Sequence, residues 1–457
     1  MKNRLLTPFW LPVWFYALAI FAGAAVLRWA PCHRGDLSLV DALFTSVSAM
    51  CVTGLSVVDT GTSFNHLGQA VILGLIQLGG LGIMTYTTLA LYLFRKRVSL
   101  SDRISVSQTL LHDPAFHLVR FILQVVAGTF CVELVGAVLL HWLNPCGFGL
   151  WSALFHSVSA FCNAGFGLYS DSLVQFKDQI GVNVVIMVLI TLGGLGFAVL
   201  YELAGLPRWL AARFRAKRGE GPQPEAWLSW PSRVVLRTSA MLVIVGAAAI
   251  FLAELAGGHR QVRLGALVLE SLFQSVTCRT AGFNTLDVSV MTNVSLVIMM
   301  LLMVIGGSPG SCAGGIKTTT LRVWWGFIRA QFLGRDQVRV GRFAIDSESV
   351  NKALTLLIFS FFFIGVATLL LLAAEGGVES HPLARAGLLE TLFETISAFG
   401  TVGLSMGLTA GLTTGSKLVI SLLMFIGRLG PVWLLTALHS WQTEPRYRLP
   451  ERTLPLG

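Results

Sequence analysis

Leu43-Phe44-Thr45-Ser46-Val47-Ser48, running on to Thr53-Gly54-Leu55, is the first of four versions of one phrase. The second runs from Leu154-Phe155-His156-Ser157-Val158-Ser159 to Ala164-Gly165-Phe166, and the third from Leu272-Phe273-Gln274-Ser275-Val276-Thr277 to Ala281-Gly282-Phe283. The fourth runs from Leu392-Phe393-Glu394-Thr395-Ile396-Ser397 to Val402-Gly403-Leu404. Successive glycines stand 111, 117 and 121 residues apart. A second landmark follows each phrase: Gly79-Gly80-Leu81-Gly82, Gly193-Gly194-Leu195-Gly196, Gly306-Gly307 and Gly427-Arg428-Leu429-Gly430. Two landmarks in fixed order, four times over, make a fourfold tandem repeat.

Outward from the phrases, the hydropathy profile also repeats. Apolar runs of about 20 residues, long enough to span a bilayer, precede them at 9–29, 118–143, 234–256 and 353–374. Further runs follow at 67–94, 183–203, 293–332 (interrupted) and 416–438. The segments between are short enough for re-entrant helices. The predicted organisation is four units, 1–97, 98–218, 219–340 and 341–457, each helix–re-entrant loop–helix. Composition agrees. Of 457 residues 54% are hydrophobic and 12% charged, with a mean hydropathy of +0.73. Soluble domains carry about twice that charge, so an all-α integral membrane protein is expected.

The net charge of +10 is a matter of position. The stretches 1–10, 95–120, 206–238, 316–352 and 440–457 hold 24 of the 33 basic residues and 9 of the 23 acids. That asymmetry marks the cytoplasmic side and places both termini there; no nucleic-acid partner is needed to explain it. Basic loops after every second run give all four units one orientation, unlike the inverted repeats of many carriers. The run after Lys2 and Arg4 has counterparts later in the chain, so it reads as a retained helix rather than a cleaved signal. Seven cysteines, four of them in or beside glycine-rich segments, do not form a disulfide framework. A bridge between Cys32 and Cys146, at equivalent outer helix ends, is conceivable.

Parallel repeats arranged about an axis would bring four glycine-containing loops together in pseudo-fourfold order. Non-helical backbone at membrane depth is tolerated where it lines water or is buried in protein. Glycine permits the φ values needed to turn carbonyls toward the axis, and a short helix ending there aims its negative dipole end at the centre. Rings of carbonyls replace the hydration shell of a monovalent cation, K⁺ in the usual case. The candidate filter is Val52, Thr53 and Gly54; Asn163, Ala164 and Gly165; Thr280, Ala281 and Gly282; and Thr401, Val402 and Gly403.

These segments resemble the Trk/Ktr/HKT superfamily of K⁺ transporters, over essentially the whole chain. The nearest type is the KtrB-type membrane subunit, because the chain starts directly with the first unit's helix. The resemblance implies eight spanning helices, four re-entrant pore helices and inward K⁺ movement at the cytoplasmic membrane. In the family a serine at the first glycine goes with Na⁺ permeation, so four glycines imply K⁺ selectivity. It further implies a homodimer and a separate cytosolic nucleotide-binding ring (KtrA-type) on the basic face. Na⁺ enters as a possible activator or coupling ion. A Na⁺-permeable or unselective cation channel of the same architecture is the alternative.

The third unit's second helix is interrupted by Gly306-Gly307-Ser308-Pro309-Gly310-Ser311-Cys312-Ala313-Gly314-Gly315-Ile316-Lys317-Thr318-Thr319-Thr320. So many glycines and a proline cannot sustain a helix. The stretch is expected to line the cavity below the filter, like the family's intramembrane gating loop; the other reading is a plain cytoplasmic turn. Gly306, Gly307, Ser308, Gly310, Gly314, Gly315 and Lys317 are its candidate gating residues, with Cys312-Ala313 in place of a small polar residue and a glycine. It mimics a phosphate-binding loop, but Ile316 separates Gly315 from Lys317 and no strand precedes it. Arg428 replaces the glycine of units one and two. A charge there is functional by default, and the resemblance puts it in the pore near the loop; snorkelling to the surface is the other reading.

Asp59, Asp171 and Asp287 follow three filters and suit either cation concentration or loop capping. Asp41, Glu270 and Glu390 suit the dipoles of the short helices. Arg279 is expected to hold filter backbone, and Cys51, Cys162 and Cys278 to pack behind the filter. Glu133 suits a partner on a neighbouring helix, which the sequence does not identify. Only one helix is expected to break. No metal-ligand spacing and no nucleophile–base pair point to an enzyme.

Overall fold

The computed structural model of the protein describes residues 10–81, 118–218, 222, 226–258, 263–375 and 387–430. It is helical. Leu11–Leu27 (α1), Leu39–Cys51 (α2) and His66–Gly80 (α3) form the first group. Leu118–Leu143 (α4), Leu150–Phe161 (α5) and Ile180–Leu195 (α6) form the second, extended by Phe197–Ala204 (α7) and Leu206–Lys217 (α8). Trp230–Gly257 (α9), Leu264–Thr277 (α10), Asn293–Val304 (α11) and Thr318–Phe332 (α12) form the third. Ser347–Ala374 (α13), Leu388–Gly400 (α14) and Thr414–Leu429 (α15) form the fourth. Among the described residues, α9, α13 and Leu123–Leu143 of α4 are long and apolar enough to cross a membrane. The rest of the predicted runs 67–94 and 416–438, and the terminal stretches 1–9 and 440–457, lie outside the described residues.

Each quoted phrase folds into a short helix, α2, α5, α10 or α14, and its phenylalanine anchors it. Phe44, Phe155, Phe273 and Phe393 are all at most 1% exposed. A hydroxyl two residues on ties each short helix to the long one before it. Ser46 donates to Ile20 O at 2.7 Å, Ser157 to Glu133 O at 2.6 Å and Ser275 to Val243 O at 2.8 Å. Thr395 Oγ1 meets Thr368 Oγ1 at 2.9 Å. Such contacts between apolar helices replace the hydrophobic force that lipid does not supply.

The second landmark is explained by the crossing of α3, α6 and α15 over the ends of the short helices. A Cβ at Gly79, Gly193 or Gly427 would collide with the carbonyl oxygen of Met50, Phe161 or Phe399 respectively. Gly193→Ala is therefore expected to destabilise the protein by about 1–3 kcal/mol, read as a lower thermal midpoint in detergent. An unchanged midpoint would show that this contact gives way freely.

Together with α11, these helices also pack on the next group's short helix: α3 on α5, α6 on α10, α11 on α14 and α15 on α2. The succession closes on itself. Its last junction carries an ion pair, Lys417 Nζ to Asp41 Oδ1 at 2.7 Å, so Asp41 does more than favour a helix dipole.

Three features depart from the sequence expectation. The run 183–203 is not one straight helix: at Gly196 (φ +91°) the chain turns by 108° into α7 and α8. Gly430 ends α15 with nearly the same backbone, φ 83° and ψ 139° against 91° and 142°. Interruption is thus not confined to the third unit. Second, the chain is not wholly α: Arg339–Val340 (β1) and Phe343–Ala344 (β2) form a two-residue hairpin pair, Val340 opposite Phe343, turning at Gly341 (φ +66°). Third, the conceivable bridge is absent: Cys32 is buried and Cys146 exposed, and all seven cysteines are free, in line with the expectation of no disulfide framework.

Candidate functional site

The short helices all stop in the same way, on a residue in left-handed conformation two positions before the glycine. Val52, Asn163, Thr280 and Thr401 have φ of 57°, 60°, 67° and 51°. Only Ser172 joins them among described non-glycine residues. Left-handed backbone costs a non-glycine residue roughly 1–3 kcal/mol and persists where surroundings over-determine it. Here hydrogen bonds do so. Thr53 N–H donates to Ser48 O at 2.8 Å and Val52 N–H to Ala49 O at 3.1 Å, a Schellman pair. Ala164 and Asn163 repeat it on Ser159 and Ala160, and Val402 and Thr401 on Ser397 and Ala398. The third phrase is one residue shorter and closes with Ala281 N–H to Thr277 O at 2.9 Å.

Beyond that stop lie Gly54, Gly165, Gly282 and Gly403, at φ of 93°, 69°, 79° and 90°. Each faces the next. A Cβ on Gly54 would come within 2.9 Å of Ala164 O, on Gly165 of Ala281 O, on Gly282 of Val402 O, and on Gly403 of Thr53 O. Four backbone carbonyls and four glycines therefore alternate around one closed ring. The Oγ1 atoms of Thr53, Thr280 and Thr401 are buried without a hydrogen-bond partner among the described residues. Eight of the twelve predicted residues, each glycine and the residue before it, meet in this ring, and Val52, Asn163, Thr280 and Thr401 stand one position back from it.

A second set of hydroxyls, which sequence reasoning passed over, holds the ring. Ser48 and Ser397 accept the N–H of Gly54 and Gly403, each at 3.1 Å. Ser159 and Thr277 donate to Phe166 O and Phe283 O, each at 2.7 Å. The signal was present: a hydroxyl ends all four quoted phrases.

The interrupted stretch is buried, not a surface turn. Ser308, Cys312, Ala313 and Ile316 are each at most 5% exposed. Its ends pair as a parallel bridge, Ile305 with Ile316, and Gly306 N–H donates to Ile316 O at 2.9 Å. It docks on the break in the second group: Ser308 N–H on Gly194 O at 3.0 Å, Cys312 N–H on Gly193 O at 3.1 Å, and Phe197 N–H on Gly310 O at 2.9 Å. Gly307 O accepts from Thr318 N–H at 3.1 Å. Gly314 lies against the Thr401 side chain and Gly315 near Gly400 O, so the stretch sits beside the ring. Lys317 Nζ folds back onto Ala313 O at 2.6 Å. Arg428, 7% exposed, donates to Cys312 O through one nitrogen and to Gly79 O through another. It joins the stretch to the first group instead of snorkelling outward.

Other candidates separate. Arg279 turns away from the ring backbone and donates to Ser239 Oγ of α9 at 3.1 Å, because that hydroxyl lies within reach in the buried space behind it. Asp59 and Asp287 cap Thr62 and Ser289 N–H at 2.9 Å, whereas Asp171 is exposed. Glu133 finds Cys162 Sγ at 3.7 Å. Cys51, Cys162 and Cys278 are buried. Among the described residues no group of three His, Cys, Asp or Glu could hold a metal ion.

Comparison with known proteins agrees over nearly the whole chain. A family model described as TrkH, cation transport protein, matches residues 16–441. The Ktr system potassium uptake protein B of Bacillus subtilis is 36% identical over 97% of this chain and 96% of its own. The potassium/sodium uptake protein NtpJ of Enterococcus hirae is 34% identical over 97% and 95%. The crystal structure of the potassium transporter TrkH from Vibrio parahaemolyticus superposes with a TM-score of 0.69 at 21% identity, covering 96% of this chain and 87% of that one.

Proposed function

The chain belongs to the TrkH cation transport protein family, and from that premise we propose that it is the K⁺-conducting membrane subunit of a Ktr-type uptake system. The closed ring of glycines and carbonyls carries the reading. Carbonyls fixed by a hydrogen-bonded scaffold replace water around a dehydrated cation, and uncharged ring residues leave its charge unopposed. The unpartnered hydroxyls of Thr53, Thr280 and Thr401 suit the contact of water or ion with the ring. In this reading the four units, 1–97, 98–218, 219–340 and 341–457, surround one pore with eight spanning helices and four re-entrant ones.

The stretch 306–320 is the gate, held closed by its bonds to Gly193, Gly194 and Arg428. The basic face is cytoplasmic in this proposal, in the inner membrane, and two subunits pair beneath a KtrA-type nucleotide-binding ring. Na⁺ acts as an activator or coupling ion, a role in keeping with the printed name of the Enterococcus relative. That name equally favours a second reading, a pore that passes Na⁺ as well.

One experiment separates the two. The purified protein in proteoliposomes is expected to take up ⁸⁶Rb⁺, with K⁺ competing strongly and Na⁺ weakly. Equal competition would support the unselective pore and overturn the K⁺-selective one.

A further inference from the structure

The ring is fourfold in backbone but not in what stands behind it. Two residues after the first leucine of each phrase, the short helices carry Thr45, His156, Gln274 and Glu394, all at most 1% exposed. Their partners differ. Thr45 Oγ1 donates to its own helix at Asp41 O, 2.8 Å away. Gln274 finds no partner for either amide atom among the described residues. His156, stacked on Tyr169 with ring centres 5.2 Å apart, accepts the N–H of Leu168 at 3.3 Å. Glu394 accepts the hydroxyl of Thr409. Thr409 Oγ1 in turn lies 3.1 Å from Ser405 Oγ, which accepts the Gly407 N–H at 3.0 Å. At this position, therefore, the second and fourth short helices, alternate members of the ring, brace the segment running on from their glycines, and Thr45 and Gln274 of the first and third do not.

We infer that Glu394 is a positioning residue for ion discrimination: through Thr409 and Ser405 it fixes the segment beyond Gly403, and so holds the fourth side of the ring at the spacing K⁺ requires. This rests on the ring being the selective element. Gly403 itself is anchored by Ser397, which precedes it in the chain. The Glu394 relay is the corresponding anchor at Ser405, two residues beyond it. A buried carboxyl oxygen accepts the Thr409 hydroxyl in either protonation state, and in a low-dielectric interior such a bond fixes geometry more firmly than it would in water. No charge of Glu394 reaches the ion path in this scheme; its effect passes through the backbone.

The test uses ⁸⁶Rb⁺ uptake by the full chain in proteoliposomes, reading the K⁺ and Na⁺ concentrations that halve it. Glu394→Ala and Thr409→Val are expected to lower the K⁺-over-Na⁺ discrimination by up to about tenfold, the worth of one buried hydrogen bond. Glu394→Gln, which keeps an acceptor for Thr409, is expected to restore most of it. A merely structural role would instead lower the amount of folded protein and the maximal rate, with the ratio of the two half-inhibition values intact. Should Glu394→Ala fail to fold, Thr409→Val carries the test, since it removes the donor without emptying the site. Gly403→Ser serves as the control. If it relaxes discrimination while Glu394→Ala and Thr409→Val leave it intact, the positioning role is overturned and the ring stands. If Gly403→Ser also leaves it intact, the ring is not the selective element, and both fall.

Discussion

Gly54→Ser is expected to let Na⁺ compete with K⁺ for uptake, narrowing the discrimination by roughly ten- to hundredfold. Two facts set that size. Gly54 sits at φ +93°, a conformation an L side chain rarely adopts, and a Cβ there would lie 2.5 Å from Ala164 O. Strain of roughly 1–3 kcal/mol must go somewhere, and the softest outlet is a shift of the Thr53 and Ala164 carbonyls. Because Thr53 O lies beside Gly403 and Ala164 O beside Gly54, displacement is passed to both neighbours in the ring. A ring that selects through the placement of its carbonyls discriminates less once they are displaced. The ratio of K⁺ to Na⁺ half-inhibition of ⁸⁶Rb⁺ uptake measures it. A ratio unchanged in a well-folded variant would mean that the ring does not select.

Arg428→Gln is expected to act on rate rather than selectivity. Arg428 links Cys312 O of the interrupted stretch to Gly79 O of α3 through two charge-assisted hydrogen bonds, each worth about 1.5–3 kcal/mol. Glutamine is shorter and uncharged, and cannot span both acceptors. With one side of the stretch released, its remaining hold is the set of backbone bonds to Gly193, Gly194 and Phe197. Loss of even one such bond shifts an open–closed equilibrium by about tenfold, so ⁸⁶Rb⁺ flux into proteoliposomes lacking any regulatory ring should rise by at least that factor. Competition by K⁺ and Na⁺ should stay as in the parent. Flux that is unchanged or lower would show that Arg428 does not hold the path closed.

Much of this was legible from the residues, for a definable reason. Whatever repeats four times in a sequence is shielded from coincidence, so the phrases, the glycines and the landmarks could be aligned without a structure. The four glycines and the residues before them follow from that alignment, and these eight meet in one ring. The interrupted stretch announced itself by glycine content, and the fold buries it where a surface turn would be exposed. What escaped was local geometry that composition does not encode. Val52, Thr280 and Thr401 are β-branched, the residues least expected in left-handed conformation, yet each ends a short helix that way. Only the bonds from two turns of surrounding backbone make that stop stable.

Tertiary contact also decided the partners of single charged groups. Arg279 was placed on the ring by its neighbours in sequence, but it reaches Ser239, 40 residues away, across a helix interface. Asp41 stands in the first turn of α2, as suits a helix dipole, and also pairs with Lys417, 376 positions along the chain. Gly196 belongs to a recurring landmark in the sequence; in the fold it breaks the helix, and Gly310 O offers the freed Phe197 N–H a partner.

By itself, then, the sequence determined the apolar helical character, the four recurring phrases and the glycines that meet in the ring, because these depend on hydropathy and on periodic spacing, which are properties of the chain. Only the tertiary structure decided how the ring closes, which hydroxyls brace it, and that Arg428 and the break at Gly196 clasp the interrupted stretch from two sides. Those depend on directional hydrogen bonds between residues remote in sequence, and direction exists only once the chain is folded.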